Sequence, residues 1–418
     1  MKIKAIRARE ILDSRATPTV ECEITLEDGR AYSASVPAGA SKGQHEALEL
    51  RDGDPRRYGG KGTLAAVNAV NSIIAPTLIG HEITDLTGID RTMIALDGTR
   101  NKSNLGANSI LSVSFAAARA ASGSVGVPLY ALVGGAYADR MPIPMMNILN
   151  GGAHATNNID IQEFMIIPCG ADSLAEAVRM GAEVYHTLRS LLIKHGYSTG
   201  VGDEGGFAPT LASEAKALSI ICEAIEKAGY RAGTDIALGL DVAASEWYSD
   251  GVYTLPKRGE RMNSEQLCDY ILSLVRDYPI ISVEDGAADV DLDGWVTLGR
   301  KLGDTGCLLV GDDLFVTDAD RVAEGALRGI ASAVLVKPNQ IGTVTEAYAA
   351  IRTASHFGYK SIMSHRSGET EDTVIADLAV GFATHYIKTG APSRSERVAK
   401  YNRLMRIESS LFSPKYGF

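Results

Sequence analysis

The sequence predicts an α/β protein, with a small amino-terminal α+β domain followed by a (β/α) barrel. Three observations predict it. First, six short apolar runs in the second half each stop on a charged or hydrogen-bonding residue: IALGLD at Asp241, PIISVE at Glu284, CLLVGDD at Asp312, SAVLVK at Lys337, KSIMSH at His365 and THYIK at Lys388. Second, successive ends lie about 23 to 43 residues apart, room for one strand, one helix and two short loops. Third, the first 130 or so residues lack that rhythm and read as strands followed by helices. In a parallel barrel the carboxyl ends of the strands converge on one face, so residues distant in sequence can surround one substrate.

The opening MKIKAIRAREILD alternates charge with Ile and has no long apolar core, and no later stretch approaches 18 uninterrupted apolar residues, so no membrane span is expected. From Thr19 to Leu26, Val20, Cys22, Ile24 and Leu26 alternate with polar residues, which is strand periodicity. Asp28-Gly29 signals a tight turn, and a second strand runs through Val36. The glycine-rich PAGASKGQHEALELRDGD carries no element until about His45, and the Ala/Val/Ile/Leu spacing over Leu64 to Leu78 and Ser109 to Ala121 is helical. Residues 1–130 therefore form the α+β domain. MPIPMMNILNGG, Met141 to Gly152, reads as the domain crossing, because two prolines and paired glycines suit a connection. Residues 141–418 then make the barrel, and the last 15 or so residues a helix with a short tail.

A balance of 41 basic against 51 acidic side chains gives −10, with no basic block. That argues against a nucleic-acid or anionic-membrane partner. Cys22, Cys169, Cys222, Cys268 and Cys307 are odd in number and scattered. They suggest neither a disulfide framework nor a zinc site but a reduced, cytoplasmic chain.

Asp241, Glu284 and Asp312 at three successive strand ends cannot comfortably stay ionised side by side, and a divalent cation resolves the repulsion. Oxygen ligands without His or Cys point to Mg²⁺ or Mn²⁺. Lys337 and Lys388 face the same mouth, and one of the two is a candidate proton acceptor, since nearby metal cations disfavour an ammonium. VGDEGGFAP offers Asp203 and Glu204 before two glycines, DIQEF ends in another strand-like run and supplies Gln162 and Glu163, and GGAHATN reads as a mobile loop with His154. His365, Arg366 and Ser367 in SHRSGET suit a phosphate or a carboxylate. Neither YGGKGT nor AGASKG completes a nucleotide P-loop, so any phosphate belongs to a small substrate.

These blocks, together with DSR..PTVE, ALELRDGD, MNILNGGAHA, LDVAASE, VKPNQIGT and KTGAPSRSERVAKYN, resemble the enolase family over essentially the whole chain. The resemblance implies a variant (β/α)8 barrel of ββαα(βα)6 type, usually assembled as a homodimer or larger homo-oligomer. It implies dehydration of 2-phospho-D-glycerate to phosphoenolpyruvate with two Mg²⁺ per site, the second binding with substrate. By position, Asp241, Glu284 and Asp312 match the ligands of the first Mg²⁺, and Ser41 a lid residue that helps hold the second. Lys337 matches the base; Glu204 matches the acid that assists departure of hydroxide, with Glu163 and His154 close by. Gln162, His365, Arg366, Ser367 and Lys388 match groups that hold the substrate's anionic oxygens. A closed, poorly solvated site is expected to keep Glu204 protonated.

Five residues depart from the family pattern: Ala16 and Thr17 in DSRATPTVE, Ala38 and Lys42 in PAGASKG, and Thr156 in GGAHATN. By resemblance all surround the closing mouth, where substrate choice is made. Lys42, beside Ser41, is either an exposed loop lysine or a cation that meets an extra negative charge on the substrate. The latter would fit an enolase-like enzyme that forms carboxyphosphonoenolpyruvate in a phosphonate pathway. An enolase-fold protein with a binding or scaffold role is the alternative from another class, and the retained catalytic set speaks against it.

Overall fold

The computed structural model describes residues 1–39 and 43–418. Three antiparallel strands, β1 (Ile3–Leu12), β2 (Pro18–Leu26) and β3 (Ala31–Ser35), open the chain. Val20, Cys22, Ile24 and Leu26 of β2 are fully buried, as their alternation predicts. Helix α1 spans Leu64–Leu78, α2 Leu86–Asp97 and α3 Ala107–Val125, and α3 lies across β2 and β3. The sequence reading did not identify β1. Its register shifts between Ile3 and Ala5, so the buried residues Ile3, Ile6 and Ala8 do not keep a strict two-residue period. Helix α2 was also not foreseen; Asp85 caps its start by accepting from the Gly88 amide, and Gly98 ends it at φ 69°.

Eight strands close the barrel: β4 (Ile143–Asn150), β5 (Glu163–Ile167), β6 (Ala237–Asp241), β7 (Ile280–Glu284), β8 (Leu308–Gly311), β9 (Ala333–Val336), β10 (Lys360–Ser364) and β11 (Tyr386–Lys388). Around the ring they run β7-β8-β9-β10-β11-β4-β5-β6. Only β5 is antiparallel to its neighbours, β4 and β6. Two helices follow it, α4 (Leu174–Lys194) and α5 (Glu214–Lys227), and then helices α6 (Ser264–Asp277), α7 (Leu292–Gly303), α8 (Ala319–Leu327), α9 (Val344–His356), α10 (Val374–Gly381) and α11 (Ser395–Ser410) each follow one strand. The order is ββαα(βα)6.

One expectation is corrected here. Met141–Gly152 is not mainly a crossing: residues 143–150 form the first barrel strand, which the prolines masked. Pro144 sits near the start of the strand, and the MMNIL run after it is buried throughout, so it shows no alternation. DIQEF ends in a strand as expected, since β5 begins at Glu163. As β5 runs backwards, its start lies beside the ends of the others.

Met145, Met165, Ile167, Val310, Ala333, Leu335 and Ile362 fill the barrel interior, while a larger apolar core separates strands from helices. Each fully buried Leu or Ile contributes about 1.5–3 kcal/mol, which fixes the strands and therefore the side chains at their ends. The amino-terminal domain is tied to the barrel rim. Ala38 and Gly368 exchange two backbone hydrogen bonds at 2.8 and 2.9 Å, and Arg119 forks onto Asp372 at 2.8 and 2.9 Å. No single helix among the described residues is long and apolar enough to cross a membrane.

Candidate active site

Strand register sets the first row of the site. Asn150 on β4 lies opposite Glu163 on β5, Glu163 opposite Asp241 on β6, and Asp241 level with Glu284 on β7. Asp312, Lys337 and His365 follow the last residues of β8, β9 and β10, and Lys388 ends β11. One cavity is lined by His154, Gln162, Glu163, Glu204, Asp241, Glu284's neighbour Asp285, Asp312, Lys337, His365, Arg366, Ser367 and Lys388. Glu284 reaches that group through Lys388. Ser41 and Lys42 lie outside the described residues.

Two lysines, Lys388 buried and Lys337 half-buried, organise the acids. Lys388 Nζ donates to Asp241 Oδ2 and to both oxygens of Glu284 at 2.9 Å, and it lies 3.2 Å from Glu163 Oε2. Lys337 Nζ pairs with Asp312 Oδ2, whose other oxygen accepts from Gln340 at 2.8 Å. Burial opposes the charge on both ammoniums. The acids outweigh it, so Lys388 is held well above the usual lysine range and Lys337 also above it. Burial raises Glu284 well above the usual carboxylate range, with Asp241 adding to the effect, whereas Lys337 overcomes burial and lowers Asp312.

Asp285 and Asp313, the second acids of VED and GDD, received no role from the sequence. Asp285 adopts φ 43° and accepts the amides of Asp312 and Asp313 at 2.9 and 3.0 Å. Burial, then Asp313, raises it well above normal, and burial with Asp312 pushes Asp313 to about 7. Ligand atoms of Asp285, Asp312 and Asp313 all fall within 4.8 Å of one another, as do those of His154, Glu163 and Glu204. Of the expected metal trio only Asp312 belongs to such a group. Asp241 and Glu284 are instead drawn onto Lys388.

Glu204 is placed by a tight turn. Gly202 donates to the Gly206 carbonyl at 2.9 Å, Gly205 takes φ 88°, and a Cβ on Gly206 would meet Asn150 Oδ1 at 2.4 Å, so only glycine fits there. Asn147 Nδ2 donates to Glu204 Oε2 at 3.1 Å, and His365 Nε2 and His154 Nδ1 lie 3.3 and 3.8 Å from its oxygens. The cations beside Glu204 oppose the protonated form that burial alone favours. Burial raises its pKa, but His365, His154 and Arg397 together hold it well below the ordinary carboxylate value. Burial and then Glu204 push Glu163 the other way, up to about 7. His154 is not on an open loop: its side chain is buried and lies 3.5 Å from Glu163. Burial works against its charge, yet Glu204 and Glu163 raise its pKa to about 9.

On the other side, Arg366 Nη atoms donate to Glu46 at 3.1 and 3.2 Å and to Asn339 at 3.0 Å. Arg15 donates to Ser367 Oγ at 3.3 Å and to the carbonyls of Ala38 and Gly39. Among the departures, Ala16 adopts φ 56°, Ala38 makes the bridge to Gly368, and Thr156 is exposed.

Residues 138–416 match the family model for the enolase carboxy-terminal TIM barrel domain, and residues 3–133 match that for the enolase amino-terminal domain. The chain belongs to the enolase family. It carries enolase domains end to end and an acidic group able to hold metal, the attributes of an enolase-superfamily enzyme. The cavity fits a hard divalent cation. Its surplus donors are carboxylate oxygens, Glu163, Glu284, Asp285 and Asp313 all resist ionisation there, and Glu163 Oε2 is buried without an aligned hydrogen bond. Besides Asp285 and Asp313, sequence reasoning passed over Asn147, Glu46 and Arg397. Asn147 and Arg397 lie inside blocks the family resemblance had marked.

Proposed function

We propose that this enolase-family chain is a Mg²⁺-dependent hydro-lyase converting 2-phospho-D-glycerate to phosphoenolpyruvate. One observation carries the reading: Lys337 follows β9 and Glu163 begins β5, four strands apart in a ring of eight. An amine and a carboxyl group therefore face each other across the cavity. Lys337 would take the proton from the carbon next to the carboxylate on one face of the substrate. Glu163, Glu204 and His154 would assist hydroxide departing from the neighbouring carbon on the other.

Asp241, Glu284 and Asp312 would hold one Mg²⁺, and Ser41 would help hold a second that binds with substrate. Bound Mg²⁺ supplies the positive charge that makes a proton beside a carboxylate acidic enough to remove. Lys388 adds fixed positive charge from the chain itself. Gln162, His365, Arg366 and Ser367 would orient the phosphate and carboxylate. The same reading takes the protein as cytoplasmic and as a homodimer or larger homo-oligomer.

The test is an absorbance assay for phosphoenolpyruvate formation with and without Mg²⁺. Mg²⁺-dependent turnover at ordinary enolase rates supports the reading and retires the one in which Lys42 meets an added carboxylate. No product at any Mg²⁺ concentration overturns it.

A further inference from the structure

The block KTGAPSRSERVAKYN carries two fully buried cations, Lys400 and Arg397, and Arg397 is the one that touches His365. It enters from α11, outside the barrel, through the space Gly390 leaves: a Cβ there would stand 2.8 Å from Arg397 Cδ. One Nη donates to the Arg366 carbonyl at 2.6 Å and contacts His365 Nδ1 at 2.6 Å. The other donates to the carbonyls of Ser367 at 2.6 Å and Asp203 at 3.2 Å. Arg397 thus fastens the SHRS segment to the turn that carries Glu204.

A guanidinium has only donors and keeps its charge, so the ring atom it touches must accept. His365 Nδ1 is therefore unprotonated, and the proton of a neutral ring resides on Nε2. Nε2 is buried, lies 3.3 Å from Glu204 Oε2 and makes no aligned hydrogen bond. We infer that Arg397 is a positioning residue that locks His365 in the neutral Nε2–H form, making the ring a standing hydrogen-bond donor to a substrate oxygen. The ring then takes no part in proton transfer.

The groups around it agree. Glu204 and Glu369 favour an imidazolium, but burial and Arg397 oppose it, and the ring's pKa falls to about 4. Lys400 neutralises Glu369 from the next turn of α11, at 2.8 Å. The donor role toward substrate rests on the hydro-lyase reading; the ring's protonation state does not.

The experiment therefore begins without substrate. Protein labelled with ¹⁵N-histidine is examined by long-range ¹H–¹⁵N correlation from about pH 6 to 8, where an ordinary histidine titrates. His365 is assigned by its loss in His365→Gln. A neutral Nε2–H pattern throughout supports the inference; an Nδ1–H ring or an imidazolium overturns it. Arg397→Lys retains a donor that cannot accept and should keep the pattern. Arg397→Gln supplies an amide that can accept, so both tautomers should appear and turnover of 2-phosphoglycerate should fall at least ten-fold. An unmixed Nε2–H ring with wild-type turnover in Arg397→Gln removes Arg397 from the role. If that variant does not fold, the wild-type and Arg397→Lys spectra decide. If wild-type protein fails to turn over 2-phosphoglycerate, the hydro-lyase reading fails while the tautomer result stands.

Discussion

Lys337 and Asp312 are bonded to each other at the ends of two adjacent barrel strands, so the candidate base and one candidate metal ligand neutralise one another. A cation taken by Asp312 would release the amine that now stabilises it. We expect Lys337→Ala to slow exchange of the substrate's α-proton with deuterated solvent by about 10²–10⁴-fold, while calorimetry still detects substrate binding. Exchange at the wild-type rate would assign the base elsewhere.

The six apolar runs were legible because each strand end is also a chemical transition: a side chain that leaves the packed interior enters the mouth. Strand direction was not legible. β5, which begins at Glu163, runs against β4 and β6, and an antiparallel neighbour leaves no mark on the composition of a strand buried on both faces. The prolines of MPIPMMNILN hid β4, and a bulge broke the period of β1.

The charge states were hidden for a different reason. Burial raises the pKa of Glu204, but charges such as His154 and Arg397 draw it down, and they lie 50 and nearly 200 residues away, about the reach only a closed barrel can bridge. A local reading that weighs burial alone gives the wrong sign. Asp285 and Asp313 went unassigned because a doubled acid at a strand end reads as one feature. Arg397 went unassigned because a charged residue on a terminal helix reads as surface.

Asn147 ties the amide of β4 to Glu204 Oε2 at 3.1 Å. A hydrogen bond to a charged group contributes about 1.5–3 kcal/mol, equivalent to about a 10- to 100-fold effect on a rate. We expect Asn147→Ala to lower kcat within that range and leave KM nearly unchanged, since Asn147 acts through Glu204. A change confined to KM would mean that Asn147 holds substrate instead.

Ala16, one of the departures from the family pattern, adopts φ 56°. A left-handed non-glycine residue costs about 1–2 kcal/mol, partly offset by the greater entropy a glycine loses on folding. Ala16→Gly should therefore stabilise the chain by up to about 1 kcal/mol, read as a higher urea midpoint with an unchanged slope. A lower midpoint would show that Ala16 makes a contact that outweighs the strain.

Asp90, on α2, is buried against the barrel helix α9 and accepts from the Thr345 amide at 3.0 Å and the Thr345 hydroxyl at 2.6 Å. Burial raises its pKa from 3.8 to about 6. A carboxyl raised on folding prefers its proton in the native state, so its favourable contribution is complete below about pH 3.8 and disappears as the pH passes about 6. A shift of that size corresponds to about 3 kcal/mol. Asn at this position keeps an acceptor for Thr345 and never ionises. Asp90→Asn should therefore unfold at higher urea than wild type at pH 8, by up to about 3 kcal/mol, and the two should converge near pH 4. A stability difference that stays constant from pH 4 to pH 8 would mean that Asp90 does not titrate on folding and that its hydrogen bonds to Thr345 offset the burial.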